Sequence, residues 1–237
     1  MSQKPKKKKT PQKSSPLNIV DWLFIITTII TTIITLVIDH NHPPLYIIAD
    51  ISALIFGVIY MLLSVKGYRS SFIFSIFSAA AFAYIAWSNH FYGNVAVNLF
   101  YYIPCALIGF HLWGKHSNKN HEVEARKLTS AQSLLVVIAL IIATIVLKLT
   151  LDAVGGASTF LDSATATLTF TANLLVLLRY REQWLLWLLV DAFQLIMWAA
   201  TNDPVMIVIR VLYPLSAIYG YVYWKKLIKP SRNRNKS

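Results

Sequence analysis

The sequence predicts an all-α integral membrane protein. Eight transmembrane helices form two parallel three-helix repeats around one linking helix, 3+1+3, with one extra helix at the N-terminus. Three observations predict this: apolar residues gathered in long runs, positive charge confined to alternate connections, and an internal match at an offset of 111 residues.

Of 237 residues, 56% are hydrophobic and 14% charged, too apolar for a soluble domain of this length. An outer-membrane barrel would show short alternating segments instead, and none is present. The +12 formal charge does not mark a nucleic-acid groove, because the Lys and Arg residues sit at the termini and between apolar runs. A single cysteine, Cys105, excludes an intramolecular disulfide and any CxxC motif.

Residues 1–18 form a basic tail with six lysines and three prolines, suited to lie against anionic headgroups. The run at 19–38 is the extra N-terminal span, and no small-residue cleavage pattern follows it. Spans at 45–65, 71–88 and 95–113 make the first repeat, 45–113. A linker span follows at 130–150; spans at 158–178, 183–200 and 205–224 make the second repeat, 158–224, and residues 225–237 form a second basic tail. Each run of about 18–22 residues can cross a ~30 Å apolar core at ~1.5 Å per residue. Twenty of the 22 positive residues fall on one side of this arrangement, so both termini are expected in the cytoplasm of a multi-pass protein of the cell membrane. The exceptions, Lys148 and Arg210, lie inside spans.

At the 111-residue offset Trp87 meets Trp198, Tyr102 meets Tyr213, Gly109 meets Gly220 and Trp113 meets Trp224; Ser52-Ala53 meets Ser163-Ala164. Three spans per unit would invert the second copy, and the single linker span restores its direction. Pro104 and Pro214 sit mid-span at nearly matched places. They read either as ordinary kinks or as paired hinges beside a central transporter site.

Polar residues inside spans face protein or water. Trp184, Trp187, Asp191, Gln194 and Trp198 share one helical face, and a face carrying an acid and an amide points inward. The two indoles, one turn apart, suit either a membrane-interface belt or a platform for a flat aromatic or cationic ring. Asn98, Tyr102 and Tyr213 add an amide and two phenols to the interior. Asp50 and Asp162 are read as helix caps, Arg210 as snorkelling or paired with Asp162 or Asp191, and Glu182 as opposing the dipole of its helix. The six histidines lack ligand spacing, so no metal is expected; nor is any cofactor, and no catalytic triad or acid pair is visible. A transporter is therefore favoured over a membrane enzyme or a receptor.

The stretch Arg179-Tyr180-Arg181-Glu182-Gln183-Trp184-Leu185-Leu186-Trp187, with Asp191 beyond it, resembles the hallmark of the PnuC family of vitamin transporters. Gly156-Ala157-Ser158, Asn98 to Pro104, Tyr219-Gly220 and Trp224-Lys225-Lys226 are similar to further family segments. The resemblance covers residues 45 to 228. It implies a fold like the sugar-transporting SWEETs in one chain, and a homotrimer. It also implies facilitated diffusion of nicotinamide riboside, trapped by a cytoplasmic riboside kinase; thiamine is the alternative cargo. Trp184 and Trp187 map onto the family's tryptophan pair, which favours the platform over the belt. The pyridinium ring would stack on these indoles, and Asn98, Gln194, Tyr102 and Tyr213 would bond the ribose. An interior without an Arg/Lys cluster suits a nucleoside rather than a nucleotide.

Overall fold

The computed structural model describes residues 17–38, 43–90, 92–153, 155, 159–199 and 204–228, without the side chains of 35, 38, 93, 197–199 and 204–212. The side chains of Trp198 and Arg210, most of both basic tails, His40, His42 and Gly156-Ala157-Ser158 lie outside the described residues.

Within them the chain is helical and contains no strand. The helices are α1 (Ile19–Ile38), α2 (Pro44–Val65), α3 (Ser71–Ser88), α4 (Tyr92–Val97), α5 (Ile103–Lys115), α6 (Ser130–Ala153), α7 (Thr159–Leu177), α8 (Gln183–Ala199) and α9 (Pro204–Leu227). A π turn, Asn98–Tyr102, joins α4 to α5 without a break. The helix ends coincide with the ends of the apolar runs to within a turn. Five segments are long and apolar enough to cross a membrane: Pro44–Val65, Ser71–Ser88, Asn94–Lys115, Ser130–Ala153 and Thr159–Leu177. Ile19–Ile34 and Gln183–Ile196 are shorter apolar helical stretches.

Local chemistry sets the ends. Pro44 and Pro204 open α2 and α9, where a missing N–H costs nothing. At α1, Asn18 Oδ1 accepts from the Asp21 N–H at 2.9 Å, and Asp21 Oδ2 accepts from the Asn18 N–H at 3.0 Å, a reciprocal cap. Asp50 is no cap, because α2 starts at Pro44 and Asp50 stands well inside it. Asp162 does lie in the first turn of α7.

The helices α2–α5 and α7–α9 make matching contacts: the glycines stand 111 residues apart, and the rings and arginines of the middle-helix starts stand 112 apart. In the first set the Phe72 ring covers Gly109, and in the second the Trp184 ring covers Gly220; a Cβ on either glycine would come within 2.4 and 2.5 Å of those rings. The Arg69 guanidinium lies 5.0 Å from the Phe110 ring centre, and Arg181 lies 4.4 Å from that of Tyr221. Across the two sets the exchange is reciprocal. Trp113 Nε1 of α5 donates to the Val176 carbonyl of α7 at 3.0 Å, and Trp224 Nε1 of α9 donates to the Val65 carbonyl of α2 at 3.1 Å. Both indoles are fully buried and meet edge to face, 5.5 Å between centres. The Val176 carbonyl also accepts from the Arg179 N–H at 3.0 Å, so the indole takes a second lone pair. Such a bond is worth about 0.5–1.5 kcal/mol and ties α5 to α7, as the Trp224 bond ties α2 to α9.

A strap at 122–128 closes the end where the basic connections gather. The Val123 N–H donates to the Gly67 carbonyl (2.8 Å), Ala125 to Leu227 (3.2 Å) and Arg126 to Arg179 (2.7 Å), and Arg181 returns a bond to the Arg126 carbonyl (2.9 Å). Glu182 Oε2 accepts from the Leu128 N–H at 3.0 Å, so this carboxylate tethers the strap rather than only facing its helix dipole. Gly67 and Arg179 turn with positive φ, +75° and +66°, to present these carbonyls. Burial and the neighbouring Arg126 lower the pKa of the Arg179 guanidinium.

The two remaining helices flank this core differently. Helix α1 lies on α2 and α9, pinned by a buried ion pair between Asp21 and Lys66 Nζ at 2.9 Å. Helix α6 touches only α7 among the described helices, and none of its side chains is buried. Apart from a half-buried stripe that includes Val136, Leu140, Thr144 and Leu147, its Ile, Leu and Val residues face outward, as a lipid-facing or subunit-facing helix requires.

Candidate functional site

A cavity of about 390 Å³, the main cavity in that residues of both helix sets and the face of α8 meet in it, opens between the two sets of helices. Helix α8 supplies Gln183, Trp184, Trp187, Val190, Asp191 and Gln194 to its wall. Spacings of three and four along one helix place these side chains on a common face, as the sequence pattern requires. Helix α2 contributes Gly57, Tyr60, Met61 and Ser64 opposite, and α9 contributes Tyr213 and Ser216. Tyr102 enters from the π turn, Thr169 from α7 and Phe82 from α3.

Six of the seven predicted binding residues thus converge: Trp184, Trp187, Asp191, Gln194, Tyr102 and Tyr213. Asn98 does not join them. Its amide donates back to the Asn94 carbonyl at 2.8 Å, and it lines a separate cavity with Tyr46, Asn89 and Asn94. Phe82 belongs to both walls.

The tryptophans are not an open pair of parallel plates. Trp184 is 5% exposed: one face covers Gly220, and the ring meets Trp224 edge to face at 5.9 Å and 78°. Trp187 is only partly buried, packing its apolar body on the core and presenting the rest to the cavity. The indole freer to take a ring is therefore Trp187. Tyr213 is held from behind by Phe24 of α1, ring centres 6.0 Å apart. Pro214 lies inside α9 and Pro104 in the first turn of α5, directly after the π turn.

The wall carries one carboxylate, that of the buried Asp191, and neither Lys nor Arg among its described residues. It is otherwise aromatic, hydroxylic and amidic. Such a lining suits a flat aromatic guest with hydroxyl groups, and its described residues offer an anion no cationic side chain. Among the described residues no three His, Cys, Asp or Glu side chains gather closely enough to hold a metal ion.

Sequence reasoning passed over Gln183. Its side chain is 0% exposed, it lines the cavity, and neither its Oε1 nor its Nε2 has a hydrogen-bond partner among the described residues. The same is true of Trp184 Nε1. The available signal was an amide placed between a basic turn and a tryptophan, where a helix start needs no buried amide.

The profile of a family described as nicotinamide mononucleotide transporters matches residues 47–226. A nicotinamide riboside transporter PnuC of Neisseria mucosa is 34% identical over 189 residues, covering 75% of this chain and 72% of its own. One from Haemophilus influenzae is 34% identical over 176 residues, covering 73% and 77%. A crystal structure of the vitamin B3 transporter PnuC superposes with a TM-score of 0.70 at 28% identity, over 90% of this chain and 93% of that one. These relatives are named as transporters and not as enzymes. With its helical fold and its family-matched segment spanning both helix sets, this chain belongs to the PnuC family of membrane transporters.

Proposed function

We propose that this chain carries nicotinamide riboside across the cell membrane by facilitated diffusion, with the cavity on α8 as its binding site. The observation that carries this reading is the lining: aromatic and hydroxylic, with one carboxylate and no described Lys or Arg. A pyridinium riboside brings a flat cation and a polyol. Trp187 stacks on the ring, a contact worth about 2 kcal/mol when desolvated. Asp191 supplies the compensating charge, and Trp184 closes the inner wall. Gln194, Tyr102 and Tyr213 bond the ribose, while Asn98 meets the cargo from the adjoining outer cavity. No Lys or Arg among the described lining residues stands ready for a 5′-phosphate, which supports the riboside over the mononucleotide as cargo. The cargo would then be trapped by a riboside kinase in the cytoplasm.

The reciprocal Trp113 and Trp224 bonds support a 3+1+3 arrangement of two parallel repeats with α6 as linker and α1 outside. Charge placement supports cytoplasmic termini. The exposed apolar surface of α6 supports a homotrimer, and Pro104 and Pro214 serve as hinges for the rocking of the halves.

The test is uptake of labelled nicotinamide riboside into proteoliposomes, with unlabelled mononucleotide and thiamine as competitors, and with and without a proton gradient. Gradient-independent uptake, unaffected by the mononucleotide and lost in Trp187→Ala, is expected. Strong competition by the mononucleotide would refute the charge argument, and competition by thiamine alone would refute the cargo.

A further inference from the structure

Ser71 and Gln183 hold equivalent places. Each opens the middle helix of its set, each follows a turn with one positive-φ residue, and each is 0% exposed with an unpartnered polar side chain. Each precedes an aromatic ring laid on a glycine. The pairs differ in chemistry. Ser71-Phe72 offers one short hydroxyl and a hydrocarbon ring, and neither residue reaches the main cavity. Gln183-Trp184 offers an amide and an indole N–H, and both line it. Three polar atoms of this pair, Gln183 Oε1 and Nε2 and Trp184 Nε1, have no protein partner among the described residues.

Buried polar atoms without partners are costly, and such a cluster persists when a guest supplies the missing bonds. The unmet set is two kinds of donor and one acceptor on neighbouring residues of one cavity wall. A primary carboxamide is its complement: its carbonyl oxygen has two lone pairs for Nε2–H and the indole N–H, and its NH₂ donates to Oε1. A carboxylate fits badly, because it has no proton for Oε1 and brings a charge towards Asp191.

We infer that Gln183 and the Trp184 indole N–H form a carboxamide-reading subsite, which sets the preference of the transporter for an amide-bearing pyridinium over its acid and its unsubstituted analogue. This rests on the riboside reading above and adds to it a specificity residue on the wall of the same cavity.

The test is calorimetric binding to the full-length protein in detergent. Three probes are used: nicotinamide riboside, the riboside with a carboxylate in place of the carboxamide, and the pyridinium riboside with neither. Wild type, Gln183→Met and, as the matched control, Ser71→Ala are compared, each with its melting temperature. In wild type the amide binds best. Gln183→Met is expected to weaken the amide by about tenfold or more while changing the unsubstituted riboside by less than about twofold, so the ratio collapses. The ligand-free Gln183→Met protein is expected to melt no lower than wild type, since it loses an unsatisfied buried amide. Ser71→Ala leaves the ratio unchanged. Equal weakening of both ribosides in Gln183→Met, or an unchanged ratio, overturns the subsite while leaving the riboside reading intact. Failure of wild type to bind any of the three overturns both.

Discussion

The two sets of helices, α2–α5 and α7–α9, share a frame and differ in what they do with it. In each, an aromatic ring at the start of the middle helix lies on a glycine of the last, and an arginine covers the next aromatic residue. Each buries one tryptophan against a carbonyl of the other. Yet α8 supplies six side chains to the main cavity, whereas its counterpart α3 supplies only Phe82. The matched contacts give a scaffold whose seams reinforce one another, and the two sets part company in what they present to the cavity. Phe72 and Ser71 hold the frame, and Trp184 and Gln183 hold it while also lining the cavity.

The glycine pair should separate these roles with the largest effect. Gly220→Ala would put a methyl 2.5 Å from the Trp184 ring, and Gly109→Ala would put one 2.4 Å from Phe72. Both should cost about 1–3 kcal/mol of stability through overpacking, read as a lowered melting temperature in detergent. Only Gly220→Ala pushes a cavity-lining ring, so it should abolish uptake per folded molecule, while Gly109→Ala should retain it.

Substitutions of the reciprocal tryptophans probe the shared part. Trp113→Phe removes the donor to Val176, and Trp224→Phe removes the donor shared by Ser64 and Val65. Each should lose about 0.5–1.5 kcal/mol, because the Val176 and Ser64 carbonyls keep the Arg179 and Gly67 N–H donors, with similar melting shifts for the two variants. A large shift in one and none in the other would mean that the halves are not equivalent at this seam.

The smallest effect, and one of opposite sign, is expected at the turns. Gly67 carries φ +75° with Leu227 Cδ1 only 2.7 Å from a would-be Cβ, so Gly67→Ala should destabilise by about 1–2 kcal/mol. Arg179→Gly relaxes φ +66° but gives up the long 3.3 Å bond to the Glu124 carbonyl. Its melting temperature should stay level or rise slightly, with uptake preserved.

Much of this frame is legible in the sequence because membranes impose simple rules. Apolar length marks the spans, charge marks the connections, and rare residues such as Trp113, Trp224, Gly109 and Gly220 survive a shifted self-comparison. The convergence of Trp187, Asp191 and Gln194 follows from helical spacing. What escaped depends on long-range partners. The strap at 122–128 is a polar loop whose bonds to Gly67, Arg179 and Leu227 leave no periodic trace. The packing of Trp184 on Gly220 could not be seen from α8 alone, so two indoles one turn apart read as equivalent when only Trp187 is open. Asn98 shares the polar character of a site residue, but the π turn it opens leaves its amide bonded to Asn94.

The most direct measurement is the riboside dissociation constant of Trp184→Phe beside that of Phe72→Leu. Trp184→Phe makes the second set resemble the first, keeping a ring on the glycine but deleting the indole N–H. Division of labour between the halves predicts at least about tenfold weaker binding in Trp184→Phe, and in Phe72→Leu a lower melting temperature with binding within about twofold of wild type. Equal loss of affinity in both variants would contradict it.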